Sequence, residues 1–119
     1  MKKTLILGAT DNPSRYANLA ANRLVAHGHP IVNIGIKSGT AAGVPIEQAG
    51  EILNDIDTIT LYVGPQTQLQ YYDYIIQSKP KRIIFNPGTE NPELEELAIE
   101  SGIETIEACT LVMLSTGQY

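Results

Sequence analysis

The sequence predicts an α/β fold, in which helices cover both faces of a parallel sheet. Short apolar runs alternate along the chain with segments of helical periodicity. The connections between the apolar runs are too long for hairpins, as in parallel sheets. The chain has 119 residues, of which 43% are hydrophobic and 18% are charged. We therefore expect one domain, residues 1–119, whose core needs neither a disulfide nor a metal.

Five segments have the composition of buried strands. Each is rich in branched or apolar residues and is followed by small or polar residues that favour a turn. They are residues 2–7, 30–36, 58–63, 82–85 and 103–107. Residues 46–55 contain Gly50, so we expect a short helix or a turn there at most.

Apolar residues at three-to-four spacing predict helices between these strands. The first helix is indicated by Tyr16, Leu19, Ala20 and Leu24, with Gly28 as its stop. Another, which must end before Pro80, is indicated by Leu69, Tyr72, Ile75 and Ile76. Asn91 is the expected cap of a helix that begins at Pro92, has Leu94, Leu97 and Ala98 on its buried face and ends at Gly102. The apolar residues 108–114 also favour a helix.

Composition excludes several kinds of protein. The net charge of −5 argues against a nucleic-acid partner, because such proteins carry a basic face. The opening apolar stretch is shorter than the roughly 7 residues a signal peptide needs, and no run approaches the roughly 18 of a membrane span. The single cysteine, Cys109, rules out an internal disulfide and is compatible with the cytoplasm, where we expect the protein.

The small and polar loops after the first four strands are expected to form a ligand site. Parallel sheets bind ligands outside the carboxyl ends of their strands, where strand order reverses. All four loops, residues 8–15, 36–39, 64–66 and 86–88, fall at that edge. The first loop precedes a helix whose free amides and positive dipole end favour a phosphate. The sequence therefore predicts a phosphate cradle at residues 8–15.

The usual dinucleotide fingerprint is missing. It requires G-x-G-x-x-G after the first strand and an acid at the end of the second. Here the first loop has only Gly8, and the second strand ends in Gly35-Ile36-Lys37. A lysine at this corner would pair with a phosphate on the ribose, where an acid would repel it.

The opening motif resembles that of a known family. Residues 8–16, Gly-Ala-Thr-Asp-Asn-Pro-Ser-Arg-Tyr, are similar to the G-A-S-x-N-P-x-R-Y/F motif of small CoA-binding domain proteins, which are related to the amino-terminal domain of the succinyl-CoA synthetase alpha subunit. Residues 57–65, 86–88, 91–93 and 108–109 match later motifs in order. Ile36-Lys37-Ser38 departs from the family's more frequent Asn-Pro-Lys, and Thr10 replaces its more frequent Ser.

The resemblance implies a Rossmann-like three-layer sandwich with a five-stranded parallel sheet in the order 3-2-1-4-5. It also implies that the ligand is coenzyme A or an acyl-CoA, bound by its ADP and pantetheine parts. The backbone of residues 8–10 would hold the pyrophosphate, Arg15 would neutralise it, and Lys37 and Ser38 would lie near the ribose phosphate. The binding residues implied are Gly8, Ala9, Thr10, Asn12, Pro13, Arg15, Ile36, Lys37, Ser38, Val63, Gly64, Pro65, Gln66, Asn86 and Gly88.

The residues give little indication of catalysis or of a metal site. His27 and His29 are expected at the end of the first helix, bonded to its last carbonyls, and Cys109 is expected to be a small buried hydrophobe. Two other functions remain open: an NAD(P)-binding oxidoreductase or redox sensor on the same fold, and an interaction module with a decayed site. The latter would act through a homodimer or a protein partner, with Tyr71 and Tyr74 suited to the interface.

Overall fold

The computed structural model describes all 119 residues, and a seven-stranded sheet lies at its centre. The strands are β1 (Thr4–Leu7), β2 (Ile31–Ile34), β3 (Thr40–Ala41), β4 (Val44–Glu47), β5 (Thr58–Leu61), β6 (Arg82–Phe85) and β7 (Glu104–Glu107). Their order across the sheet is β3-β4-β2-β1-β5-β6-β7. Neighbouring strands pair in parallel, except β3 and β4, which are antiparallel.

Five α-helices connect or follow these strands. They are α1 (Tyr16–Ala26), α2 (Pro65–Gln68), α3 (Tyr72–Gln77), α4 (Pro92–Glu100) and α5 (Thr110–Ser115). A 3₁₀ turn, Leu69–Tyr71, separates α2 from α3. Asn91 caps α4 as predicted, because its side-chain oxygen accepts hydrogen bonds from the amides of Glu93 and Leu94. None of the helices has the length and apolar character needed to cross a membrane.

Alternation along the strands gives the sheet two different faces. Leu5 and Leu7 point to the side covered by α3 and α4, where they join a wholly aliphatic and aromatic cluster. Ile6 points to the side of α1 and α5 and packs against Ala17, Ala21, Leu24 and Leu114. The second face also carries buried hydroxyls, those of Thr4, Thr58 and Thr60. Helices therefore cover both faces, as the sequence predicts.

The predicted number and order of strands are wrong. The sheet has seven strands rather than five, and the segment predicted as the third strand, residues 58–63, pairs with β1 instead of lying beyond β2. The place beyond β2 is taken by β4, in the stretch where no strand was expected, and the β3–β4 pair adds an antiparallel hairpin. Pro45 can occupy β4 because the pairing with β2 begins only at Ile46, so its missing amide leaves no hydrogen bond of that ladder unmade.

Two predicted helix faces are correct only in part, since Ala20, Leu24 and Ile75 are buried as predicted but other members are not. Tyr16 and Leu19 are exposed, and the buried stripe of α1 is formed largely by alanines, among them Ala17 and Ala21. The predicted helix near residue 70 is broken into α2, the 3₁₀ turn and α3, which turns Leu69 outward and Gln68 inward. The small alanine side chains let α1 approach the sheet closely, and hydrophobicity alone does not reveal this.

Candidate functional site

The main cavity lies where the carboxyl ends of β1 and β5 separate. The connection after β1 runs through α1 to β2 on one side, whereas that after β5 runs through α2 and α3 to β6 on the other. This reversal leaves a crevice of the kind in which α/β sheets bind ligands. The cavity has a volume of about 770 Å³. That is within the range of about 300–1,000 Å³ typical of small-molecule sites.

Ten of the fifteen predicted binding residues line this cavity. They are Gly8, Ala9, Thr10, Asn12, Arg15, Ile36, Lys37, Val63, Gly64 and Gly88. The other five, Pro13, Ser38, Pro65, Gln66 and Asn86, do not line it. Sequence reasoning missed nine lining residues as binding candidates: Asp11, Tyr16, Ala17, Gly35, Tyr62, Thr67, Tyr71, Pro87 and Thr89. Most of these adjoin a predicted residue in sequence, so the cavity is lined by the same loops that the sequence singled out.

The loop after β1 begins in close contact with the end of β5. Gly8 has a φ of +102°, and a Cβ atom there would lie 2.9 Å from Val63 Cγ1 and 3.0 Å from the carbonyl of Tyr62. Only glycine fits this approach without strain. The amides of Gly8 and Ala9 both donate to the Ile34 carbonyl at 2.9 Å. Two of the three amides expected to hold a pyrophosphate are therefore already used inside the protein.

The amides that remain free lie further along the same loop. Those of Thr10 and Asp11 have no hydrogen-bond partner, nor do those of Tyr16 and Ala17 in the first turn of α1. Arg15 occupies the N-cap position in an extended conformation and its side chain does not cap the helix. An anion at this point would meet free amides from both the loop and the helix end.

Hydrogen bonds within the loop hold it in this shape. The buried Asn18 donates from its side chain to the Thr10 carbonyl at 3.0 Å. Thr10 Oγ1 accepts from the amide of Asn12, whose own side chain accepts from the amide of Ser14 at 3.0 Å. Asn12 thus supports the loop, while the Thr10 hydroxyl keeps its proton available for a ligand.

Charged side chains are confined to one end of the cavity. Asp11, Arg15 and Lys37 are its only charged lining residues, and all three belong to the loops after β1 and β2. The lining residues that follow β5 and β6 are uncharged. A ligand with phosphates at one end and a neutral arm at the other would match this distribution.

The loop after β6 is anchored beneath the cavity by Asn86. Its side-chain amide donates to Thr60 Oγ1 at 2.7 Å and to the Leu61 carbonyl at 2.8 Å, and its oxygen accepts from the Thr110 amide at 2.9 Å. Asn86 is only 2% exposed. The residue predicted to border the ligand therefore joins β5, β6 and α5 from below.

Tyr62 contributes a half-buried phenol to the cavity. Its hydroxyl is buried and has no hydrogen-bond partner. Burial disfavours the phenolate and raises the pKa of Tyr62 to about 12. The group is therefore neutral at ordinary pH and has a proton to donate.

Neither histidine nor Cys109 lines the cavity. His27 Nδ1 lies 2.8 Å from the Arg23 carbonyl at the end of α1, as predicted. His29 differs from the prediction: its ring accepts a hydrogen bond from the Lys2 amide and packs against Tyr119, and burial lowers its pKa. Cys109 is partly exposed, not fully buried as expected. No group of three or more His, Cys, Asp or Glu residues is arranged to hold a metal ion.

A second cavity of about 560 Å³ adjoins the first. Gly35, Ile36 and Tyr71 line both cavities. The second lies between the segment after β4, which includes Gln48 and Ala49, and the residues of α3. Together the two cavities follow the edge of the sheet from β4 to β6.

Comparison with known families identifies the chain. A family described as a CoA binding domain matches residues 2–115. This protein belongs to the CoA binding domain family. The match spans nearly the whole chain and so confirms the resemblance seen in the opening motif. None of the curated proteins matches the sequence.

Solved structures share this fold. An uncharacterised protein of known crystal structure is 55% identical, with a TM-score of 0.98, and the match covers 100% of this chain and 98% of that one. A hypothetical protein from Pyrococcus horikoshii OT3 is 25% identical, with a TM-score of 0.85 over 97% of this chain and 82% of that one. A Thermus thermophilus structure, cell-free ID.343, shares the fold at 19% identity, with a TM-score of 0.83 and coverages of 99% and 90%.

Proposed function

We propose that this protein binds coenzyme A or an acyl-CoA through its ADP and pantetheine parts and catalyses no reaction by itself. The observation that carries the proposal is the distribution of charge in the main cavity. Free amides, Arg15, Lys37 and the Asp11 carboxylate lie at one end, and uncharged residues of the β5 and β6 loops line the other. Coenzyme A has the same polarity, with phosphates at its nucleotide end and a neutral amide arm leading to the thiol.

The pyrophosphate would lie at the amino end of α1. The amides of Thr10 and Asp11, rather than those of Gly8 and Ala9, would donate to it, together with the first free amides of the helix. Arg15 precedes that helix and would neutralise the charge. Because both coenzyme A and NAD contain a pyrophosphate, this part of the site would not distinguish them.

Discrimination would come from the end of β2. Lys37 lines the cavity there, and β2 does not end in the acid that accepts hydrogen bonds from two ribose hydroxyls. The Asp11 carboxylate, from the loop after β1, lies against Gly39 in the same region. The lysine would instead pair with the 3′-phosphate of coenzyme A. Ser38 does not line the cavity, so Lys37 alone carries this part of the proposal.

Calorimetric titration with CoA, dephospho-CoA and NAD tests the function. We expect wild-type protein to bind CoA at least about tenfold more tightly than the other two, about 1.4 kcal/mol, as for one charge-assisted contact. Lys37→Glu should remove most of that difference, whereas Arg15→Ala should weaken all three ligands. Lys81→Glu is the matched control, since it makes the same change of charge at an exposed lysine outside the cavity.

Two results would contradict the proposal. Equal wild-type affinities for CoA and dephospho-CoA would show that Lys37 does not pair with the 3′-phosphate. Tighter binding of NAD than of CoA would replace the proposal with a dinucleotide-binding function on the same fold.

A further inference from the structure

Gln68, at the end of α2, is a fully buried polar residue that lines neither cavity. Its Nε2 atom donates to two backbone carbonyls, those of Val63 and Thr89, each at 2.8 Å. Its Oε1 atom accepts from Asn91 Nδ2 at 2.8 Å. If the side-chain amide of Gln68 were rotated by about 180°, its oxygen would face two carbonyl oxygens. These partners therefore determine the orientation of the amide.

The two carbonyls belong to different loops at the uncharged end of the main cavity. Val63 follows β5, Thr89 follows β6, and both line the main cavity. The register of these two strands ends at Leu61 and Phe85, after which their chains separate. One nitrogen atom of Gln68 therefore holds together two loops that the sheet no longer pairs.

The β6 loop and the start of α4 also have supports of their own. The Thr89 amide and hydroxyl both donate to the Asn86 carbonyl, which forms a tight turn in the β6 loop. Asn91 donates to Tyr72 as well as to Gln68, and its oxygen caps α4. Losing Gln68 would leave the Asn86 bonds to β5 in place but remove the link between Val63 and Thr89.

We propose that Gln68 is a positioning residue that fixes the width of the channel between the β5 and β6 loops and so selects ligands that carry a neutral pantetheine arm. This inference rests on the proposed function. The loops after β1 and β2, which form the charged end of the cavity, receive no hydrogen bond from Gln68. A ligand consisting only of the nucleotide and its phosphates is therefore indifferent to Gln68.

Titration of wild-type protein and Gln68→Met with two probes tests the inference. The probes are CoA and adenosine 3′,5′-bisphosphate, which keeps the 3′-phosphate and the first 5′-phosphate of CoA but lacks its second 5′-phosphate and its arm. The methionine has a similar volume and leaves both carbonyls unpaired, so the loops can separate. We expect the affinity for CoA to fall about tenfold, while that for the bisphosphate stays within a factor of about two. Ile83→Val, which loosens the core without touching either loop, should change neither affinity.

A second variant, Gln68→Glu, keeps the shape and still accepts from Asn91. Its carboxyl group can donate to one of the two carbonyls only while it is protonated, and burial favours that form. Relative to wild type at the same pH, the CoA affinity of this variant should fall between about pH 6 and about pH 9, while its bisphosphate affinity should not. A residue with a structural role alone would give parallel changes for both probes.

The outcomes separate this inference from the function. Equal losses for both probes, or no loss of CoA affinity in either variant, would overturn the role of Gln68 while leaving CoA binding intact. A wild-type protein that binds the bisphosphate and CoA equally would overturn the pantetheine channel itself. A wild-type protein that binds neither probe would overturn the proposed function.

Discussion

Gly35, the residue that follows β2, has no room for a side chain. Its amide donates to the Glu47 carbonyl at 2.9 Å, which ties it to β4. A Cβ atom at this position would lie 2.4 Å from the Ala9 carbonyl oxygen and 3.1 Å from Ile46 Cγ2. Both neighbours are held by the sheet or its core, so Gly35→Ala forces the backbone of the β1 or the β2 loop to move.

The cost of this substitution follows from overpacking, which typically amounts to about 1–3 kcal/mol. We expect the upper half of that range, because the clash is with a backbone atom rather than the flexible end of a side chain. Unfolding entropy of about 2.1 cal/mol/K per residue over the chain converts each kcal/mol into a fall of about 4 °C in Tm. Gly35→Ala should therefore lower the Tm by about 8–12 °C.

Urea denaturation and thermal unfolding of the ligand-free protein measure this effect. Gly64→Ala is the matched control: Gly64 also lies in a loop at the carboxyl edge of the sheet, but no atom lies within 4 Å of its added Cβ and its φ of −72° suits any residue. Its stability should stay within about 0.5 kcal/mol of wild type. If both variants lose the same stability, or neither loses any, the close approach of Gly35 to Ala9 does not determine the stability of the protein.

Two further predictions concern titratable residues. His27→Ala and His29→Ala should each leave CoA affinity within a factor of about two, because neither residue lies at the carboxyl edge of the sheet. A tenfold loss from either variant would show that the ligand binds elsewhere than in the main cavity. Tyr62 should ionise near pH 12 in the folded protein, against 10.0 for an unperturbed phenol. Its raised pKa stabilises the fold fully below about pH 10, and this contribution is lost as the pH rises towards 12. The difference in alkaline stability between wild type and Tyr62→Phe measures it, and parallel curves would refute the shift.

The strands could be predicted wherever the sequence contains an uninterrupted apolar run. Each of the five predicted segments contains one strand of the sheet, namely β1, β2, β5, β6 or β7. The strand β4 was missed because Pro45 and the nearby Gly50 are residues that ordinarily interrupt regular structure. That one omission also made the strand order wrong, since β4 holds the place assigned to residues 58–63.

The site was predictable at the level of loops but not of individual side chains. A strand-to-loop sequence indicates which edge of the sheet carries a cavity, and Thr10 and Lys37, named from such sequences, both line it. It cannot report that the amides of Gly8 and Ala9 are consumed by the Ile34 carbonyl, because that contact joins residues about 26 positions apart. Gln68 was missed because an isolated glutamine in a helix is typical of an exposed surface.

The buried hydroxyls on the α1 and α5 side of the sheet limit how this sequence can diverge. Thr58 accepts from Arg82, and Thr60 shares hydrogen bonds with Asn86 and Thr110. On the opposite, aliphatic side, one substitution can be absorbed by repacking its neighbours. On the hydroxyl-bearing side, a valine in place of Thr60 would remove hydrogen bonds from both Asn86 and Thr110. Homologous sequences would therefore have to replace the hydrogen-bonded residues on the α1 and α5 side together. Substitutions on the α3 and α4 side can occur one at a time, so we expect that side to vary more.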